Sequence, residues 1–155
     1  MKAVLQIVNS ATVYADGILS GSIEKGLHIL LGVEADDSKT DAELLCEKIS
    51  KLRIFEDENG KMNLSVMDIN GDIMVVSNFT LNANYEHGNR PDYLSGANPT
   101  LANELYEYFV SLVSQKVRNV ATGKFGADMK IDMVAIGPVT IVMESSKLKK
   151  GKNKL

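Results

Sequence analysis

Tryptophan is absent from the 155 residues, cysteine occurs once, histidine twice and proline three times. One thiol, Cys46, cannot close an intrachain bridge, so no disulfide framework organises the fold. With only His28 and His87 there is no His/Cys set at zinc spacing, and a Ser-His-Asp arrangement would depend on one of two isolated imidazoles. No apolar run approaches the roughly 18 residues of a membrane span, and Met1-Lys2-Ala3 opens directly into strand-like sequence instead of a signal peptide. A cytoplasmic protein with no membrane partner is expected. Basic residues are also in deficit, 17 Lys and Arg against 20 Asp and Glu, which argues against a nucleic-acid coat and against DNA as a partner without excluding RNA.

What is present bounds one domain. The composition, 45% hydrophobic and 24% charged, is that of an ordinary globular chain. A chain of this length buries roughly two-thirds of the surface its unfolded form exposes, enough for a core without a structural metal. The positive charge is concentrated at one end. Lys147 to Leu155 holds five Lys and no acid, leaving 12 basic against 20 acidic groups, a formal charge of −8, on the preceding 146 residues. We read a domain over residues 1–146 and a disordered Lys-rich tail over 147–155, the tail being either a solvated terminus or a weak phosphate contact.

Along the chain, β-formers cluster between turn signals at Met1 to Val8, Ala11 to Ala15, Ile18 to Ile23 and Leu27 to Val33, with Asp16-Gly17 a hairpin signal. Ser38 followed by Asp41 resembles a capping box, and Leu44, Leu45, Ile49 and Leu52 recur at helical spacing to about Arg53. Asn59-Gly60 and Asn70-Gly71 mark turns, and Asp72 to Phe79 reads as a strand whose run Ile73 to Val76 is buried on both faces. Leu81 to Asn98 lacks periodicity, and a loop that long is usually functional or disordered. Asn98-Pro99 then opens a second helix whose apolar face carries Leu101, Leu105, Phe109, Leu112 and Val113. Lys130 to Val134 and Val139 to Glu144 read as strands on either side of Gly137-Pro138. The sum is α+β: a curved or barrel-like antiparallel or mixed sheet with two packed helices.

Two familiar patterns fail. Thr122-Gly123-Lys124 lacks the first P-loop glycine, since Arg118 stands there, and Phe125 follows the lysine. An EF-hand around Asp57 to Gly60 would need oxygen ligands from Phe55 and Val66. His28, flanked by Leu27, Ile29 and Leu30, reads as a structural residue, Cys46 as a small core residue, and His87 as a loop residue within reach of a ligand. No cofactor or metal is expected. Two segments stand out instead: Ser77-Asn78-Phe79-Thr80-Leu81, where a buried strand ends in polar groups, and Gly137-Pro138-Val139-Thr140. Strand ends that open into loops display binding groups on a fixed scaffold. A Gly-Pro pair between strands is by itself a turn, or a rigid peptide that holds its carbonyls outward.

Taken with Arg90-Pro91, with Thr122-Gly123-Lys124-Phe125-Gly126-Ala127-Asp128-Met129 and with Arg53-Ile54-Phe55, these segments resemble the D-aminoacyl-tRNA deacylase family from about Met1 to Val142. The resemblance implies a homodimer of barrel-like subunits that hydrolyses the ester between a D-amino acid and the 3′ end of tRNA. It implies that Ser77, Asn78, Phe79 and Thr80 line the ester and that Phe125 and Met129 flank it. The resemblance further implies that Gly137 and Pro138 reach in from the partner subunit through a cis bond and reject L-amino acids. Glycine has no side chain to reject, so leakage onto glycyl-tRNA follows. Thr80 is either a nucleophile or a positioning hydroxyl, and with no evident base the second is favoured. Lys124, Arg90 and the tail are candidate phosphate contacts. The chain departs from the family in three places: Asn78 stands where Gln is usual, Ile7 where an Arg is associated with bracing the Gly-Pro loop, and Ala135-Ile136 where an Asn precedes Gly-Pro. Those departures leave a divergent, weakly active or non-catalytic dimer that binds RNA or a small ligand as the alternative.

Overall fold

The computed structural model describes residues 1–151. The strands are β1 (Lys2–Ala15), β2 (Ile18–Ile23), β3 (Gly26–Gly32), β4 (Phe55–Glu56), β5 (Met62–Leu64), β6 (Asp72–Ser77), β7 (Val120–Thr122) and β8 (Met129–Glu144). Three α-helices accompany them, α1 (Lys39–Ser50), α2 (Pro99–Ser114) and α3 (Ser145–Gly151), with a 3₁₀ turn at Phe79–Asn82. The main sheet runs β2-β1-β3-β6-β7, with β8 on the remaining edge of β1; β4 and β5 form a separate ribbon. Pairings of β3 with β6 and of β6 with β7 are parallel and the rest antiparallel, so the sheet is mixed. Where β2 approaches β7, the Ser20 hydroxyl donates to the Thr122 carbonyl at 2.8 Å, and the barrel is nearly closed there.

The expected break between Met1 to Val8 and Ala11 to Ala15 is not a loop. One strand, β1, runs through both, and what changes at Ile7 and Val8 is the face: Ala3, Leu5 and Ile7 pack towards the helices, while Val8, Ala11 and Val13 join a second cluster with Met74, Val76 and Ala121. The Asp16-Gly17 turn forms with both residues at positive φ, the left-handed pair that a two-residue hairpin needs. In β6, Ile73, Met74, Val75 and Val76 are all buried, as a strand packed on both faces requires.

Helix α1 starts after Ser38, whose backbone N–H donates to the Asp41 carboxylate at 2.9 Å. Helix α2 starts after Asn98, whose side chain accepts from Leu101 N at 3.0 Å. Leu105, Phe109 and Val113 of α2 are buried against the sheet with Leu45 and Ile49 of α1, and Phe109→Ala would cost about 3–5 kcal/mol. The Tyr106 hydroxyl donates to the Val75 carbonyl at 2.9 Å and ties α2 to β6.

Three expectations need correcting. The strand expected to reach Phe79 ends at Ser77, because the Asn78 side chain caps a 3₁₀ turn there. The two strands expected around Gly137-Pro138 are one strand, β8, and the pair is a bulge within it. The lysine-rich segment is not all tail: Ser145–Gly151 is helical, because Ser145 Oγ donates to Asp41 at 2.7 Å and the Lys149 ammonium sits 2.7 Å from the same carboxylate. The remainder of that segment, 152–155, lies outside the described residues. Burial pushes the Asp41 carboxyl up, but hydrogen bonds from Lys149, Ser145 and Ser38 outweigh it and hold the group below the usual carboxylate range.

Candidate active site

The parallel strands β3 and β6 end side by side, and their pairing runs one residue beyond the sheet, where Asn78 N donates to the Leu31 carbonyl at 2.8 Å. The chain then turns sharply. Asn78 Oδ1 accepts the Thr80 N–H at 3.1 Å and also the Thr80 hydroxyl. The aperiodic loop that follows is pinned to β3, with Asn82 Nδ2 donating to Val33 O at 2.7 Å and Ala97 N donating to the same carbonyl at 3.0 Å. A cleft of about 660 Å³ opens between this loop, the start of α2 and the connection from β7 to β8.

Leu30, Val76 and Ile131 give the cleft an apolar floor. One wall carries Phe125 and Met129, the other Phe79 and Tyr93. The Phe79 and Tyr93 rings meet edge to face at 5.0 Å and 77°. Phe125 leans on Tyr106 at 6.2 Å. Met129 lies over Gly123 so closely that a Cβ on the glycine would stand 2.2 Å from its sulfur. Ser77 and Asn78 supply polar groups at the strand end, and Asp128 is the one charged residue lining the cleft among the described residues.

Five of the eight expected site residues, Ser77, Asn78, Phe79, Phe125 and Met129, therefore meet in one cleft. Thr80 stands just outside its lining, exposed, and its hydroxyl bonds to the Asn78 amide among the described residues. An amide oxygen is no general base, so nothing here ionises that hydroxyl. Gly137 and Pro138 do not line their own chain's cleft. Their peptide bond is cis, and they are exposed on the bulge of β8 that faces Ile7 of β1. Ile7 is buried in the helix-side core and gives the bulge no polar brace; Val139, packed on the same core, anchors it instead.

Tyr93 and Asp128 were missed as site residues. Tyr93 sits in a stretch without periodicity, where spacing says nothing about direction. Asp128 lay inside a quoted motif, directly before Met129, and its carboxylate was a readable signal. Arg90 and Lys124 are exposed, and Lys124 directly precedes Phe125 of the cleft lining. His87 is exposed on the loop, while His28 is buried with both ring nitrogens unpartnered, and burial pushes its pKa down. Among the described residues no three His, Cys, Asp or Glu side chains gather as metal ligands do, and no helix is long and apolar enough to cross a membrane.

The profile of the family described as D-Tyr-tRNA(Tyr) deacylase matches residues 4–144. The chain belongs to that family. Two curated relatives of the D-Tyr-tRNA(Tyr) deacylase family are named D-aminoacyl-tRNA deacylase. The one from Thermosipho africanus (strain TCF52B) is 49% identical over 148 residues, 96% of this chain and 99% of the relative. The one from Clostridioides difficile (strain 630) is 50% identical over 147 residues, 95% of this chain and 99% of the relative. A solved structure titled c-Myc DNA Unwinding Element Binding Protein superposes with a TM-score of 0.87 at 38% identity, over 93% of this chain and 98% of that one.

Proposed function

We propose that this chain hydrolyses the ester between a D-amino acid and the 3′ end of tRNA, in the cytoplasm, as a homodimer whose two sites are each built across the subunit interface. The observation that carries the reading is a division of parts. The cleft holds Ser77, Asn78, Phe79, Phe125 and Met129, while Gly137 and Pro138 are exposed further along β8 and do not line it. That strand suits a partner. Among the described residues β8 pairs only with β1, leaving its other edge open, and Met133, Val134, Ile136 and Val142 are exposed on it at 38–68%. A long, apolar, unpaired edge is a surface that folded proteins cover.

The chemistry asked of the site is modest. An aminoacyl ester is already activated, so the enzyme needs to place water or a ribose hydroxyl and stabilise an oxyanion with fixed donors. The Phe79 N–H at the cleft wall has no protein acceptor among the described residues and is free for that use. Asp128 offers the substrate's ammonium an opposite charge. The partner's Gly-Pro peptide closes the remaining side, so an L side chain meets backbone while a D side chain points to open space. Glycyl-tRNA, with no side chain to exclude, is hydrolysed as well.

Hydrolysis of D- and L-tyrosyl-tRNA side by side, with Thr80→Ala and Pro138→Ala variants, tests this. Rapid release of D-tyrosine only, lost or slowed in both variants, is the expected result. The missing polar brace at Ile7 favours one other outcome, a dimer that binds aminoacyl-tRNA without hydrolysing it; tRNA binding with no release of either enantiomer would establish that.

A further inference from the structure

A second concavity, of about 1000 Å³, runs along α1 past its C-terminal end, beside the C-terminal end of α2 and the start of α3. Lys48, Lys51, Arg53, Lys116 and Lys147 line it, against Glu43 and Glu47. Five cations and two carboxylates make +3 in a chain whose total is −3, so the rest of the molecule carries −6. Helix ends account for part of this, since α1 and α2 both finish here and the negative ends of their dipoles attract lysine. That explains Lys48, Lys51 and Lys116. It does not explain Arg53, which lies beyond α1, or Lys147, which lies on a different helix.

The acidic groups nearby leave an excess. Glu47 pairs with both Lys51 and Lys116, Glu144 pairs with Lys147 at 2.9 Å, and Glu43 accepts the Tyr108 hydroxyl at 2.7 Å. Lys48 has no ion-pair partner among the described residues, and Arg53 Nε donates to the Asn63 carbonyl at 2.9 Å. All five cations are exposed, and exposed pairs are weak enough to be exchanged for phosphate.

We propose that this groove seats the phosphate backbone of the duplex arm of tRNA adjoining its 3′ end. The proposal rests on the deacylase reading of the cleft, and it locates a contact that the reading does not need. The cleft touches α2 at Pro99 and Ala102, and the groove touches it at Leu112 and continues past its end to Gln115 and Lys116. Ten residues separate Ala102 from Leu112, roughly 15 Å along the helix, and Lys116 lies just past the helix end. Along one strand of a duplex the phosphates advance roughly 3.4 Å per nucleotide, so a strand with its terminal ester in the cleft brings phosphates about five nucleotides inward over the groove. The groove has no aromatic lining residue, so it offers no platform for stacked bases and suits a backbone contact, which positions without reading sequence.

The test is a triple neutralisation, Lys48→Gln, Arg53→Gln and Lys147→Gln, none of which lies in the cleft. It is assayed on D-tyrosyl-tRNA and on D-tyrosyl-adenosine, which ends at the cleft, over a range of salt concentration. The expected result is a KM for the tRNA raised roughly tenfold or more with kcat kept, a salt slope shallower by about 3, and no change with D-tyrosyl-adenosine. Parent-like KM and salt slope on tRNA would overturn the groove assignment, as would an equal loss on both substrates. Displacement of tRNA by polyglutamate of matched charge only in the parent protein would assign the groove to an acidic chain and also overturn it. If the parent hydrolyses neither substrate, the deacylase reading fails separately, and the salt slope for binding uncharged tRNA still decides whether the groove holds RNA.

Discussion

The carboxamide oxygen of Asn78 accepts both the backbone N–H and the hydroxyl of Thr80, so two residues at the rim of the cleft hold each other in place. The Asn78 amide is taken up by the turn itself, as a cap on the 3₁₀ segment. Asn78→Ala removes both bonds. We expect kcat on D-tyrosyl-tRNA to fall with little change in KM, and the fold to lose about 0.5–2 kcal/mol, the usual cost of a lost cap. Asn78→Asp keeps the acceptor and should recover most of the stability. A variant that lost substrate affinity with kcat intact would place the Asn78 side chain on the substrate and not on Thr80.

Gly137 has φ +128°, and a Cβ built on it would stand 2.2 Å from Val139 N, so no other residue fits without moving the backbone of the bulge. The bulge is exposed on an edge strand, so Gly137→Ala should fold and lose activity. Thr80→Ala should do the same from the other half of the site. Mixed and allowed to exchange subunits, the two inactive proteins form heterodimers in which one of the two sites has both parts intact, and about a quarter of the parent activity should return if dimers re-form at random. Mixtures as inactive as their components would refute a site shared between subunits.

Much of the scaffold was legible because local chemistry and tertiary demand agree there. Ser38 and Asp41, Asp16-Gly17 and Asn98-Pro99 each answer a backbone requirement where they stand, and each sits at an element boundary. The strand Val120–Thr122 was invisible, since three residues carry no period. Helix α3 was hidden by its lysines: its one apolar residue, Leu148, gives no stripe, and contacts of Ser145 and Lys149 with a distant carboxylate hold it. Gly137-Pro138 read as a turn because glycine and proline usually punctuate strands, whereas here β1 pairs with β8 on both sides of the pair. In the site, the strand end at Ser77 was readable from its abrupt change of polarity. Tyr93 reaches the cleft through the course of a pinned loop, a property of the fold and not of any local pattern.

His28 is buried with no partner for either ring nitrogen among the described residues, and desolvation lowers its pKa below the ordinary 6.5. The folded state therefore binds a proton less readily than the unfolded one. Stability is full above pH 6.5 and declines as pH falls below it, by at most about 1.4 kcal/mol per pH unit until the folded group itself titrates. Thermal melts of the parent and of His28→Leu between pH 7.5 and pH 5 should diverge at the acid end, with the variant losing less. Parallel loss in both proteins would mean that other groups govern the acid response.

Met129 reaches the cleft by lying across Gly123, with no room for a methyl group between them. Gly123→Ala would put a carbon 2.2 Å from the Met129 sulfur, and because a methionine side chain is flexible, it should yield before the backbone does. The cleft that Met129 already lines is the nearest open volume, so the side chain should swing into it and narrow the space for the amino-acid side chain. We therefore expect kcat/KM for D-tyrosyl-tRNA to fall well below that for D-alanyl-tRNA, with stability changed by about 1–3 kcal/mol at most, the usual cost of overpacking. The measurement is the ratio of the two values in parent and variant. An unchanged ratio, with both substrates slowed alike, would mean that Met129 does not border the part of the cleft that holds the amino-acid side chain.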